Sequence, residues 1–577
     1  VGKRKNVLQT IFSWLSYKDR PDKSFDLSKS RYDASKNDES QSSKKPYTFK
    51  RKRNDLKKPK TFEELKNKDT ESTANNEDAV SKEAAVNIKN IEKKFNFPKN
   101  KDIVIRSLSI MGKHKCFIFY IEGLVDRVTV NNSILKPLLS NDKFSVDMEG
   151  ALFEHVYYNV IETNQLKAVA TQKEAEAEIL SGNTGVFIEG FDRYIVCETK
   201  GFEKRSVEKP QIEGIVKGPQ EAFNENLRTN ITLLRRIVKN KDLTTEFIDV
   251  GDRNNAKCAV IYLEGLINPA IVKEIVRRVK SIRTDFIMGD GILEQYIEDC
   301  PWSIVPTILS TERPDRTAFH ILSGKAAIIA DGAPFALIVP ITLKDILHTP
   351  EDTTLRWQYG TVLRLIRFFA IFVATLLPGL YVALTTFHRE MIPTDLLIAI
   401  AKARENVPFP TLLEVFLMEV SFELIREAGI RIPGIIGNTI GIIGALILGQ
   451  AAVQANLVSP VLIIVIAFTG LGNFAIPDFT LAFGIRIMRI FYIILGAFLG
   501  FYGVSLGILV SMSLLTHTKS FGVPIMTLST ARFRKNRDYL IRLPLWKQES
   551  RPGYLYPLDD ERQPKISRKW TQSKPKK

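Results

Sequence analysis

The chain is poor in the residues that build nucleophilic and metal-dependent sites. It has four cysteines, Cys116, Cys197, Cys258 and Cys300, and six histidines. No two cysteines form a CxxC pair and the histidines are scattered, so neither a zinc site nor a redox dithiol is written in the spacing. HExxH and Walker spacings are also missing, which argues against zincin and P-loop chemistry. The cysteines read as small buried residues of a reduced compartment. The expectation is no catalytic, cofactor or metal site, and no enzyme.

Charge is the second absence. Residues 432–477 contain no Lys, Arg, Asp or Glu. One membrane crossing takes about 20 apolar residues, so this run is long enough for two, with Ser459-Pro460 marking the turn between them. The ends are opposite in character. Residues 1–100 carry 25 basic and 15 acidic side chains, and residues 515–577 carry 15 and 5, a net of +10 each within a total of +17. Two basic ends predict that both face the cytoplasm beside anionic lipid, with an even number of crossings. No signal peptide is evident at the start. Residues 7–17 read as a short interfacial helix or a docking stretch. Residues 18–100 are too polar to bury a core, and 1–100 as a whole read as a basic, largely disordered cytoplasmic tail. Its run Lys50-Arg51-Lys52-Arg53 suits a solvated tail beside lipid, and no nucleic-acid partner is expected.

Between these regions the pattern turns structured. KCFIFYIE at 115–122 ends at Gly123, and KCAVIYLE at 257–264 ends at Gly265. The same offset of 142 carries Leu180-Ser181-Gly182 onto Leu322-Ser323-Gly324, and Glu189-Gly190 onto Asp331-Gly332. Two landmarks at one offset imply an internal duplication. The expected fold is therefore two tandem α/β (α+β) subdomains, 101–240 with a linking helix and 241–355. A helical membrane domain at 356–516 and a basic tail at 517–577 follow. The acid–glycine pairs fit strand-end turns. From residue 222 a helix places Leu227, Ile231, Leu234 and Val238 on one face. Its Arg228, Arg235 and Arg236 either grip acidic groups of a neighbouring subunit or form an ordinary salt-bridged face.

Four spans are expected, near 362–386, 435–457, 461–476 and 487–514. Arg364 and Arg367 lie in the first turns of the first span, positioned to snorkel. Pro378-Gly379 predicts a kink. Glycines 437, 441, 444 and 449 in the second span, and 496, 500, 503 and 507 in the fourth, allow close helix contact. Gln450 and Gln454, four apart, either line a polar path or bond another helix. Asp478 and Arg486 read as interfacial. Residues 391–431 are too charged for an ordinary span, and Glu419, Glu423 and Glu427 share a four-residue spacing there. Two readings are open: an amphipathic interfacial helix, or a rim of carboxylates on a water-filled path relieved by Arg426 and Arg431.

Several stretches resemble the A subunit family of bacterial spore germinant receptors. They are STERPDR (310–316), DGAPFALIVP (331–340), VEKP (207–210), KGPQEAF (217–223) and LRTN (227–230). In the membrane half they are LPGLYV (377–382), EMIPTD (390–395), RENVPFP (404–410), ELIREAGIRIP (423–433) and LGQAAVQA (448–455). The likeness covers about residues 101–545. Gln220 and Ala222 depart from the family's usual Arg and Gly. The resemblance implies a spore inner-membrane complex of three kinds of chain: oligomerising A subunits, a transporter-like B subunit that holds the nutrient, and a lipoprotein C subunit. It implies that the A subunit gives a gated ion path rather than covalent chemistry. That makes Glu419, Glu423, Glu427, Gln450 and Gln454 candidate pore or vestibule residues. Arg364, Arg367, Pro378 and Gly379 become candidates for placing the first helix. Rival readings are a non-conducting scaffold and an ion-coupled transporter, the latter disfavoured by the lack of inverted repeats.

Overall fold

The unbroken apolar run in KCFIFYIE sets the first subdomain. In the computed structural model, which describes residues 79–110, 112–140, 144, 152–201, 209–431, 444, 447–527, 538 and 541–564, it forms strand β2 (His114–Ile121). The basic run at 50–53, residues 7–17, Gly437 and Gly441 lie outside these residues. Strand β2 pairs with β1 (Ile103–Ile110) in an antiparallel sheet that also holds β3 (Leu166–Val169), β4 (Thr184–Ile188) and β5 (Tyr194–Cys197), in the order β1-β2-β4-β5-β3. Successive side chains of a strand point to opposite faces. Phe117 and Phe119 join Phe187 and Tyr194 under helices α1 (Ala84–Lys94) and α2 (Gln172–Leu180). Cys116 and Ile118 face the other way, with Val186, Ile195 and Cys197, against helical residues 127–139 and 152–160. Burial pushes the thiols of Cys116 and Cys197 far up, and that of Cys258 to about 12, so none is a ready nucleophile.

The second subdomain repeats this order of elements. Helix α3 (Leu227–Ile237) precedes β6 (Leu243–Val250) and β7 (Ala256–Leu263). Then come α4 (Pro269–Lys280), α5 (Asp290–Ile297), β8 (Leu309–Thr311), α6 (Pro314–Ile321), β9 (Ala326–Ala330) and β10 (Ala336–Val339). The sheet order is β6-β7-β9-β10-β8, the same as in the first. Even the helix entries match. Buried Asn87 clamps the Ser81 backbone through both amide atoms (2.6 and 3.0 Å), and buried Asn230 does the same to Asn224 (2.6 and 2.9 Å). Gly123, Gly190, Gly265 and Gly332 all have positive φ, as acid–glycine turns require. Two boundaries differ from expectation. Helix α1 is folded inside the stretch read as a tail, and α3 packs on the core of the second sheet rather than closing the first.

By compactness the chain divides into two units, the second made of Pro210–Gln220, Glu294–Thr311 and Leu337–Lys577. This helical unit contains α7 (Leu343–Leu347), α8 (Pro350–Thr354), α9 (Trp357–Thr386), α10 (Thr394–Arg404) and α11 (Thr411–Arg431). Helical residues 447–454, α12 (Pro460–Phe474) and α13 (Phe479–His517) follow. Helices α9 and α13 are long and apolar enough to cross a membrane; α12 is apolar but has 15 residues. The Ser459-Pro460 signal starts α12: the Ser459 hydroxyl accepts the Leu462 N–H at 3.2 Å and Pro460 takes the first helical position. Asp478 caps α13 in the same way, at 2.8 Å.

The span expected at 487–514 is not one straight crossing. Gly500 sits at φ 60°, ψ −143°, and the chain folds back there. The Tyr492 and Ser511 hydroxyls share a 2.8 Å hydrogen bond, although 19 residues of straight helix cover roughly 28 Å. The two arms, 479–499 and 501–517, therefore lie antiparallel. A Cβ at Gly500 would meet His388 Cε1 at 2.7 Å and force a backbone region open only to glycine. Gly500→Val is expected to destabilise this unit by about 1–3 kcal/mol, read as a drop in thermal unfolding midpoint in detergent; an unchanged midpoint would show that the bend is not needed.

Candidate functional site

Three of the four carboxylates on α11, Glu414, Glu419 and Glu423, organise the helical unit. A four-residue step turns an α-helix by about 40° past a full circle, so Glu419, Glu423 and Glu427 drift around the axis instead of staying on one line. Glu419 points inward and pairs with Arg489 at 3.3 Å. Glu423 sits at the edge, between Arg486 at 2.9 Å and Arg426. Glu427 is exposed. Arg486 also lies 4.6 Å over the Phe483 ring. One turn further toward the start of α11, Glu414 is fully buried; it takes Arg404 at 2.9 Å and the Ser459 N–H at 3.1 Å. The carboxylates therefore do not repel across a shared face. They form rungs that tie α11 to the first arm of α13 and to the start of α12. Arg431's side chain lies outside the described residues, and relief of Glu419 comes from Arg489, not from Arg426.

The sequence reading gave no role to Arg489 or Glu414, and it did not foresee that Arg486 pairs with Glu423. The signal was present. Arg486 and Arg489 are three apart and Glu419 and Glu423 four apart, so opposite charges meet on two facing helices. Charged groups within apolar helices are found paired, because an unpaired one is expensive.

A second ionic cluster fixes the start of α9. Arg364, 5% exposed, reaches Asp538 at 2.7 Å and Asp352 at 3.4 Å; Arg367 reaches Asp352 at 2.8 Å. These arginines do not snorkel. Lys344 stands 3.6 Å from Asp538. Burial alone would raise the Asp538 carboxyl, but Lys344 and Arg364 outweigh it and hold the group below its ordinary range. Its stabilisation is thus present above the unfolded value of about 4 and is lost as pH falls through the lowered folded value. Arg364→Leu is expected to cost about 1–3 kcal/mol, because Asp352 keeps Arg367 and Asp538 keeps Lys344; thermal unfolding above and below pH 4 checks both statements. Higher on α9, Pro378 lies inside a continuous helix. Gly379 lets the first arm of α13 approach: a Cβ there would stand 2.7 Å from the Tyr492 carbonyl, and one on Gly496 would run into the Gly379 carbonyl.

With this geometry in view, comparison with known proteins is decisive. The family model described as Bacillus/Clostridium GerA spore germination protein matches residues 89–554. The chain belongs to that family. It is 38% identical over 492 residues to spore germination protein KA of Bacillus subtilis, covering 85% of this chain and 90% of that protein. To spore germination protein B1 of the same organism it is 39% identical over 460 residues, covering 78% and 93%. To spore germination protein GerLA of Bacillus cereus it is 36% identical over 466 residues, covering 80% and 94%. Among solved structures, the crystal structure of the N-terminal domain of the A subunit of the Bacillus megaterium spore germinant receptor GerK3 is 28% identical. It covers 45% of this chain and 95% of that one, at a TM-score of 0.36.

In this GerA-family chain the remaining candidates fall as follows. Gln450 and Gln454 are exposed on one face of helical residues 447–454. Arg228 pairs with Glu122 and Arg236 with Glu221 at 2.8 Å. Arg235 is 2% exposed and donates to Asp102 at 2.9 and 3.1 Å and to Asn100 at 3.1 Å. It ties the two soluble subdomains of one chain together, and its burial removes it as a contact to another copy.

Proposed function

We propose that this chain is the A subunit of a nutrient-germinant receptor in the spore inner membrane, acting by gating an ion path that starts germination. The observation that carries the reading is family membership across residues 89–554, with relatives named as spore germination proteins matched over 90% or more of their length. Partners in this reading are other A subunits, a transporter-like B subunit and a lipoprotein C subunit, with both chain ends cytoplasmic. Gln450 and Gln454 support a path or subunit contact, since exposed amides in apolar helix sequence need water or another protein group. The Glu419–Arg489 and Glu423–Arg486 rungs then belong to the closed arrangement. A nutrient-driven shift toward an open arrangement must separate or re-pair them. The matched strand orders and the paired Asn87 and Asn230 clamps support the two soluble subdomains as copies of one ancestral unit that couple this shift between subunits.

The test is germination of spores lacking this chain, complemented by the wild type or by Gln450→Leu/Gln454→Leu. Wild type is expected to restore nutrient-triggered ion release and the double variant to reduce it, at equal membrane abundance. Normal release without the chain would sink the receptor reading; normal release by the double variant would remove these glutamines from the path.

A further inference from the structure

We infer that α11, despite its charges, crosses the hydrocarbon core of the membrane with one face against lipid acyl chains. Its 21 residues span roughly 31 Å, the thickness of the core. Its depth is set by contacts within the helical unit. Gly379 of α9 meets Tyr492, and Phe387, just beyond the end of α9, meets Gly500, so α9 and the first arm of α13 run side by side in the same direction. Glu419 meets Arg489 and Glu423 meets Arg486, so α11 runs the opposite way along that arm. An interfacial helix lies across the spans; α11 lies along them.

The side chains divide accordingly. Glu414 and Glu419 turn inward onto arginines. Leu413, Phe416, Leu417, Val420 and Leu424 turn outward and are exposed. Between Leu413 and Leu424 that stripe is wholly apolar and bulky, and the exposed Glu427 and Ala428 continue it only in the last turns of the helix. Helix contacts inside membranes favour small residues, whereas bulky aliphatic and aromatic side chains suit lipid. The same chemistry recurs on the outer face of α9, at Val362, Leu365, Phe369 and Phe372. It contrasts with the exposed Gln450 and Gln454, which ask for a polar neighbour. Exposed aromatics sit at both ends of the bundle: Trp357 and Tyr359 at the start of α9, Phe498 and Tyr502 at the Gly500 bend. Charge screening of the sequence hides this span because its carboxylates are neutralised by a neighbouring helix, not by composition.

The inference stands whether or not the chain conducts ions. It is tested on the full chain in lipid vesicles, in a Cys300→Ser background, with nitroxide labels at Leu417→Cys, Val420→Cys and Met391→Cys. Collision with dissolved oxygen and with a water-soluble nickel chelate is read at each site. Leu417 and Val420 are expected to favour oxygen over nickel several-fold more than Met391, which is exposed in the short 3-10 turn between α9 and α10. Nickel access equal to that at Met391 would overturn the inference in favour of an interfacial or water-lined helix. Shielding from both reagents would overturn it in favour of a protein partner on this face. The unmodified chain supplies a second readout: acyl-chain diazirine lipids should label Leu413–Leu424 peptides on illumination, and absence of label there while α9 is labelled would contradict the assignment.

Discussion

Glu419→Leu destabilises the helical unit by about 3–5 kcal/mol, because it strands the buried guanidinium of Arg489 without its carboxylate. Arg489→Leu does the same from the other side. The double variant, Glu419→Leu with Arg489→Leu, recovers most of the loss, since an apolar pair of similar volume removes both desolvation costs. The comparison is made by thermal unfolding of the full chain in one lipid-detergent mixture. Non-additivity of this sign identifies a paired rung. If the two single changes were harmless, the carboxylate would have to be hydrated, and the rung would have no role in holding α11 to α13. Glu427→Gln serves as the internal contrast: the side chain is exposed, so its neutralisation is expected to leave the midpoint nearly unchanged.

The second large effect lies in the soluble half. Arg235→Met is expected to cost about 3–5 kcal/mol, because Asp102 is left charged in a buried seam and Asn100 loses a donor. The other seam contacts among the described residues are weaker: the partly exposed pairs Lys99–Glu264 at 3.2 Å and Lys241–Glu176 at 3.5 Å, Lys101 N–H to the Thr245 carbonyl at 3.3 Å, and Thr245 N–H to Asn100 Oδ1 at 3.4 Å. Arg228→Ala, which removes an exposed pair with Glu122, should by contrast change little. Limited proteolysis of the full chain reads the difference: the Arg235 variant should be cut faster between the subdomains, and equal cutting of both variants would mean the buried pair is not the tie.

These two effects also mark where sequence reasoning reached and where it stopped. Strand β2, its counterpart β7 and the acid–glycine turns were legible because a short apolar run closed by an acid–glycine pair is a local signal. Helix α1 was not. Its apolar face is only Ala84, Ile88 and Ile91 around a buried asparagine, and the polar tail around it dilutes that face in any average. Arg235 read as surface because the helical period of α3 accounts for one covered face, while a second face is covered by the other subdomain. On α11 the four-residue spacing was visible, but the partners sat some 65 residues away on α13, where Arg486 and Arg489 looked like the flank of a span. The Gly500 bend was hidden in a stripe of glycines whose other members serve close packing; only the fold-back contact between Tyr492 and Ser511 separates a turn from a spacer.

The central claim is that this chain gives the membrane a nutrient-gated ion path whose closed form is held by the α11–α13 rungs. Single-channel recording of the purified full chain in planar bilayers, alone and with its partner subunits and triggering nutrients, tests it most directly. The claim predicts discrete conductance that appears with nutrient and whose open probability rises in Glu419→Gln. Electrical silence in a verified, correctly assembled complex, under nutrients that trigger spores, would contradict it and make the chain a scaffold for its partners.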